Sequence, residues 1–529
     1  MLQSHSIIAN DCDIVNCIIT FPFPHTVCVN TSAFFKDFSK NLAYLKKLLP
    51  AEDIFFHALS LDCGVPCAVV YADGMVNKQL LGDLVLRPLE KLSFSQNDGG
   101  RAATNGNEEL LNTLRSTLLF PELKEAKEFG SAVKEVLDGN ALILVGDLPL
   151  TLIVGTKLLP VRSITEPPTD VAVKGPREGF IEDIKTNMVL VRKRLKTPDL
   201  RLETSRIGKQ SDTMLCLCYL KGVTDENIVQ QVKTRLQKTK IDCVPDSSYI
   251  AKIIAERKLS IFRSVGTTER PDVFAAKLSE GRVGILVDGS PIALTLPFAA
   301  VEDFQSNEDY YVSPFMATIF RSLRFISVLV ALLLPAFYLA SQLFKLQLLP
   351  LGLTLTIVES TSRLPLSPSM ETFVVLFVLE VLKEASIRMP KYVGMSLSVV
   401  GALVLGEAAV SAGFLSTPTI IVVAFSGICL YAVPNFVETG SILRWIFLIV
   451  GGSVGPLGIT LALAFTLYYL ITADSFGMPP LAPFSPLTVS DLKDSAVKFD
   501  LFALNKRPRI LKSNNKTRLK QNDENANGM

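Results

Sequence analysis

Histidine is almost missing: His5, His25 and His57 are the only three in 529 residues. Of these, only His57 lies near a cysteine pair, Cys63 and Cys67. The other close pair, Cys216 and Cys218, alternates along a strand-like run. A zinc site needs more ligands at suitable spacing, so these thiols read as small strand residues and no metal is expected. The signatures of common catalytic centres are also missing. Gly155-Thr156-Lys157 lacks the upstream glycine of a phosphate-cradling loop, and neither G-x-S-x-G nor H-E-x-x-H occurs. The chain is therefore expected not to be an enzyme and to use no cofactor. A net charge of +2, with no basic face interleaved with aromatics, gives no reason to expect a nucleic-acid partner. The first residues, MLQSHSIIANDCDIV, lack the basic start and long apolar core of a secretory signal, so the polar part is expected in the cytoplasm, where nine cysteines stay reduced.

What is abundant is apolar sequence, and it is unevenly distributed. The mean hydropathy of +0.36 averages two unlike parts. Phe325–Phe344 runs FISVLVALLLPAFYLASQLF without a charge, about the twenty residues that a helix needs to cross the hydrocarbon core. Arg321 and Arg324 flank it on the expected cytoplasmic side. Further apolar stretches follow. Leu348–Val358 is short enough to read as re-entrant or interfacial. Thr372–Ile387 carries Glu380, Lys383 and Glu384. Val393–Phe414 has Glu407 as its only charge, and Thr417–Val437 has none. Trp445–Ala473 is longer than one crossing requires and is broken by Gly451-Gly452 and Gly455-Pro456-Leu457-Gly458, which favours a hairpin that returns the chain to its starting side. Arg388, Lys391 and Arg444 are assigned to the cytoplasmic side by the positive-inside rule. The basic run Lys506–Lys520 reads as a disordered tail in reach of anionic membrane lipid.

Two places in this region carry candidate function. Glu380 and Glu384 stand one helical turn apart, with Lys383 three residues from the first and Arg388 four beyond the second. This charge cluster can be neutralised within its own helix. It faces either protein and water or, as an interfacial helix, the lipid headgroups. In Val393–Phe414 the residues Gly394, Ser398, Gly401 and Gly406 make a small-residue surface that lets helices approach closely. Glu407 then either sits at a tight helix contact near one membrane face or contributes to a ring of carboxylates around a pore.

The polar part reads as two α/β subdomains. In the first, Val65–Tyr71, Ala141–Val145 and Leu150–Val154 are strand-like, and Asn77–Arg87 is a helix expected to stop before Pro88. Glu166-Pro167-Pro168-Thr169 reads as a stiff connector. In the second, Phe180–Arg194 and Ile228–Lys238 are helical, and Leu215–Tyr219, Val283–Val287 and Ile292–Leu296 are strands. The strand–turn–strand pattern recurs, so similar architecture is expected. The whole is an α+β membrane protein: a first subdomain over 1–160, a second over 161–312, a helical transmembrane bundle over 313–475, and a C-terminal segment over 476–529.

A resemblance sharpens the functional side. Glu166-Pro167-Pro168-Thr169, Gly175-Pro176-Arg177-Glu178-Gly179-Phe180, Thr268-Glu269-Arg270-Pro271-Asp272, Asp288-Gly289-Ser290-Pro291, Glu380-Val381-Leu382-Lys383-Glu384-Ala385 and Arg388-Met389-Pro390 fall in an order and spacing similar to the GerA family of spore germination proteins, specifically the A-type subunits of germinant receptors. The resemblance implies a multi-pass protein of the spore inner membrane. It implies a transporter-like B-type subunit and a lipoprotein C-type subunit as partners, and a homo-oligomer that acts as a monovalent-cation channel. The alternative it leaves is a non-conducting, sporulation-stage paralogue associated with dipicolinate release. Ser260-Ile261-Phe262-Arg263 stands where the family often has Pro-Phe-Pro. The family does not itself assign Glu407 a role.

Overall fold

The computed structural model describes residues 32–518 except 62–63, 91–105, 119, 121–122, 159–166, 168–169, 171–173, 258–259, 345–346, 348, 363, 391–392, 395–398, 402, 496 and 501–502. The connector at 166–169 thus falls almost wholly outside the described residues, as does Ser398. The chain divides into two compact units, one of residues 1–159 with 196–200, the other of 160–195 with 201–529.

In the first unit a five-stranded sheet is built from β1 (Ile54–Ser60), β2 (Pro66–Ala72), β3 (Leu123–Ala126), β4 (Ala141–Val145) and β5 (Thr151–Val154), in the spatial order β1-β2-β4-β5-β3. Pro66 opens β2, a strand position where its missing N–H is harmless. The strands β4 and β5 are buried at every residue, the pattern of a covered sheet centre. Helices α1 (Phe38–Leu48) and α2 (Phe129–Leu137) pack beside this sheet. The stretch after Asn77 does not stop before Pro88. A helical turn at Lys78–Leu81 passes into a π turn at Gly82–Leu86, where Arg87 N–H bonds back to the Gly82 carbonyl, and a further turn runs from Arg87 to Glu90. The widened turn accommodates a proline that a regular ladder would reject.

The second unit contains a second five-stranded sheet: β6 (Leu200–Ile207), β7 (Thr213–Leu220), β8 (Gly266–Thr268), β9 (Val283–Val287) and β10 (Ala293–Leu296). Its order, β6-β7-β9-β10-β8, repeats that of the first. Helices α3 (Ile184–Arg194), α4 (Glu226–Lys238), α5 (Ser247–Ile254) and α6 (Pro271–Glu280) belong to it. Each of α3, α4 and α5 starts at an aspartate, Asp183, Asp225 and Asp246, whose carboxylate accepts a free N–H of the first turn.

The same unit continues into apolar helices: α7 (Pro314–Phe344), α8 (Leu351–Thr361), α9 (Pro368–Arg388), helical turns within 393–411, α10 (Thr417–Tyr431), α11 (Val437–Val454) and α12 (Pro456–Thr472). Two segments, Pro314–Phe344 and Pro434–Val454, are long and apolar enough to cross a membrane. Helix α7 begins well before the charge-free run, and α9 begins at Pro368, capped by Ser367, so it takes in Glu371. Gly455, at φ 75° and ψ −156°, separates α11 from α12 in a conformation that only glycine adopts readily. Gly451 and Gly452 do not interrupt α11. They lie against Ala336 and Leu339 of α7, where a methyl group would meet backbone or side chain at about 3.0 Å.

The apolar helices return repeatedly to the α/β domain of this unit. Thr439, near the start of α11, donates to the Ile261 carbonyl, and Tyr469 and the Thr472 carbonyl at the end of α12 meet Ser260 and Arg257. The pair α11–α12 is therefore a hairpin. Beyond it the basic segment is folded rather than disordered over its described part: Arg507 donates to the Ser279 carbonyl at 2.8 Å, Lys506 bridges Thr517, and Leu511 is buried. Arg507 is held by carbonyls that no single-sequence pattern announces.

Candidate functional site: charges within the helical region

At the start of α7, Asp309 is fully buried and accepts from Arg321 Nε at 2.9 Å and from Arg324 Nη1 at 2.9 and 3.0 Å. Arg321, also fully buried, reaches the Asp494 carbonyl at 2.6 Å and the Asp494 carboxylate at 3.2 Å. The turn at Asn307–Tyr310 and the base of α7 are thereby held to the C-terminal segment, 173 residues further along the chain.

Just before this joint lie Glu302 and Asp303, on a short 3-10 turn at Ala300–Phe304. Burial raises the Glu302 carboxyl, but Arg282 and Lys277 outweigh it and hold it at about 2. For Asp303 burial wins: it is pushed up to about 7, with Arg263 only partly opposing.

Deeper among the helices is the charge cluster. Glu380 pairs with Lys383 on its own helix and with Arg444 of α11 at 2.6 Å; Arg444 also donates to Ser426 of α10 at 3.2 Å. Lys383 donates to Ser441 of α11 at 2.8 Å. Arg444 is 1% exposed. It is an interior counter-ion linking α9, α10 and α11. Glu384 and Arg388 pair with each other at 2.6 Å on the exposed side of α9. The four clustered charges are thus two pairs with different surroundings, one interior and one exposed.

The small-residue helix is also divided. Gly394 and Gly401 face α9: added methyls there would meet the Ser386 carbonyl at 3.3 Å and the Leu382 methyls at 3.0 Å. Gly406 has open space, and Glu407, on a π turn at Val404–Ala408, is exposed. Gly401 and Gly406 border a cleft of about 1580 Å³, which is also lined by Leu382, Lys383 and Tyr431 and, from the α/β domain, by Glu269 and Asp272.

Sequence reasoning passed over Glu371. The apolar stretch taken as Thr372–Ile387 begins one residue after it; the signal available was the Ser367-Pro368 helix start. Among the described residues, no group of three or more His, Cys, Asp or Glu is placed to hold a metal ion. Cys216 and Cys218 are buried on β7 with their sulfurs 3.7 Å apart, and Cys63 lies outside the described residues.

An α/β domain is thus joined through buried ion pairs to apolar helices, and two of the apolar segments are long enough to cross a membrane. The kind of protein is settled by comparison. The profile of the Bacillus/Clostridium GerA spore germination proteins matches residues 43–510. Spore germination protein KA of Bacillus subtilis is 34% identical over 91% of this chain and 88% of its own length. Spore germination protein GerLA of Bacillus cereus is 32% identical over 85% of this chain and 90% of its own. An uncharacterized membrane protein of Bacillus subtilis, YfkQ, is 34% identical over 86% and 88%. Among solved structures, the N-terminal domain of the A subunit of the Bacillus megaterium spore germinant receptor GerK3 is 28% identical, covering 50% of this chain and 96% of that domain, with a TM-score of 0.39. The chain belongs to the GerA family.

Proposed function

We propose that this protein is the A-type subunit of a nutrient-sensing spore germinant receptor, set in the spore inner membrane with its α/β parts on the cytoplasmic side. It would act with a transporter-like B-type subunit and a lipoprotein C-type subunit, and would catalyse no reaction. Copies of the chain assemble around a passage for monovalent cations that opens when nutrient is sensed. The observation that carries this reading is the division of the small-residue helix. Gly394 and Gly401 are used against α9 within the chain, whereas Gly406 has open space beside it and Glu407 is exposed. A carboxylate on such an open face, repeated around a ring, attracts cations. Protein reconstituted in vesicles is expected to conduct potassium and sodium, and Glu407→Gln to lower the preference for cations over chloride. Unchanged selectivity would remove Glu407 from the passage.

A second reading is kept because the family likeness extends beyond named germination proteins: the chain is 34% identical both to germination protein KA and to YfkQ, an uncharacterized membrane protein. In that reading the protein is a non-conducting accessory of sporulation linked to dipicolinate release. Spores lacking the gene separate the two: loss of a nutrient response with normal dipicolinate content supports the receptor, and altered content with intact nutrient responses supports the accessory.

A further inference from the structure

Glu371 is 0% exposed, and its two carboxylate oxygens are treated very differently. Oε1 accepts from the Ser416 backbone N–H at 2.5 Å and from Ser416 Oγ at 2.6 Å, which ties the start of α9 to the start of α10. Oε2 is buried with no hydrogen-bond partner. Two helix N-termini, those of α9 and α10, converge on this carboxylate and favour negative charge there. Among the described residues no lysine or arginine is paired with it. Val375, one turn along α9, and Leu415, next to Ser416, belong to an apolar cluster with Leu339 and Leu376. A bare anionic oxygen in such surroundings is strongly disfavoured unless a positive charge meets it.

Neutral oxygens are gathered beside it. Ser416 Oγ lies 2.9 Å from Thr419 Oγ1, which lies 3.1 Å from Tyr338 Oη of α7; all three residues are buried. Gln342, one turn along α7 from Tyr338, leaves its side-chain Nε2 without a partner. Turning that amide over presents its carbonyl oxygen instead. One carboxylate among hydroxyl and amide oxygens supplies a single negative charge with hard ligands, which suits a monovalent ion. A divalent ion would call for more carboxylates.

We propose that the oxygens of Glu371, Tyr338, Thr419 and Gln342 form a binding site for a monovalent alkali cation inside each chain, with Glu371 Oε2 as its charged ligand. The site is separate from Glu407 and does not depend on conduction. The test is equilibrium binding of radioactive rubidium to the purified full-length protein in detergent, in potassium-free choline buffer at fixed pH. The unaltered protein is expected to bind rubidium saturably, with competition by potassium. Glu371→Gln abolishes binding, and Glu359→Gln, at an exposed carboxylate of α8, leaves it unchanged. Tyr338→Phe keeps the packing and removes one oxygen, so it weakens binding about tenfold even if Glu371→Gln fails to fold. No saturable binding by the unaltered protein overturns the site, as does equal binding by Tyr338→Phe. A melting temperature unchanged by exchange of choline for potassium at fixed pH also overturns it.

Discussion

Arg444 shows how one side chain can depend on another. It is only 1% exposed and leans on Glu380 at 2.6 Å. Glu380→Gln leaves a guanidinium in an apolar interior, and the expected loss is about 3–5 kcal/mol. Replacing both partners with leucine should restore part of that loss, since the Arg444 penalty disappears with its charge while Lys383 keeps only its bond to Ser441. Denaturation of the single and double variants checks the order; a double variant no better than the single would mean the pair is not the governing contact. Asp303 makes a prediction in pH. An ordinary aspartate titrates near 3.8, whereas burial moves this one to about 7. Between those values the folded chain keeps a proton that the unfolded chain has released, so stability falls as pH rises through that window. Glu302 works in the opposite sense: held at about 2 against an ordinary 4.5, it contributes stability that is complete above 4.5 and disappears as pH falls through about 2. Asp303→Asn should therefore raise the melting temperature at about pH 8 more than at about pH 5. An equal shift at both would remove Asp303 from the pH response.

At the scale of elements, the break between α11 and α12 rests on Gly455. Its φ of 75° and ψ of −156° lie where only glycine is comfortable, and an added methyl would meet the Phe344 ring at 2.9 Å. Gly455→Ala is expected to cost roughly 1–3 kcal/mol from backbone strain alone, whereas Gly413→Ala, with positive φ but open space around it, pays only the backbone part. Thermal melting of the two variants should rank them in that order. These elements were legible to different degrees. The hairpin was readable because glycine and proline are local punctuation. The start of α9 was misplaced because Glu371 does not look apolar, although its helix buries it completely. Val283–Val287 and Ala141–Val145 were plain because strands covered on both faces are continuous apolar runs. The edge strands β1 and β6 mix polar and apolar residues and so carry no such run.

Across the second unit as a whole, the C-terminal segment is the tie between sheet and helices. Asp494 reaches Arg321, Arg507 reaches Ser279, and Asn514 N–H reaches the Val223 carbonyl. The hairpin brings this segment back to the face from which α7 departs, so both should lie on one side of a membrane. Single cysteines placed at Lys240 and Asn514, in a background without native cysteines, should react alike with an impermeant maleimide, and a cysteine at Leu351 in α8 oppositely. Different labelling of the first two would break the hairpin assignment. Asp309→Asn should loosen the joint more than Asp494→Asn, because Asp309 serves both Arg321 and Arg324 and is itself fully buried.

By itself the sequence determined the kinds of elements, their order and the family, because periodicity, glycine–proline punctuation and the spacing of motifs are properties of neighbouring residues. Tertiary structure decided which charges meet. Glu380 and Arg444 stand 64 residues apart, Glu371 and Ser416 45 apart, and Arg321 and Asp494 173 apart. The physical reason lies in the apolar interior: it makes each buried charge depend on a partner within about 4 Å, and helix packing, not chain proximity, selects that partner.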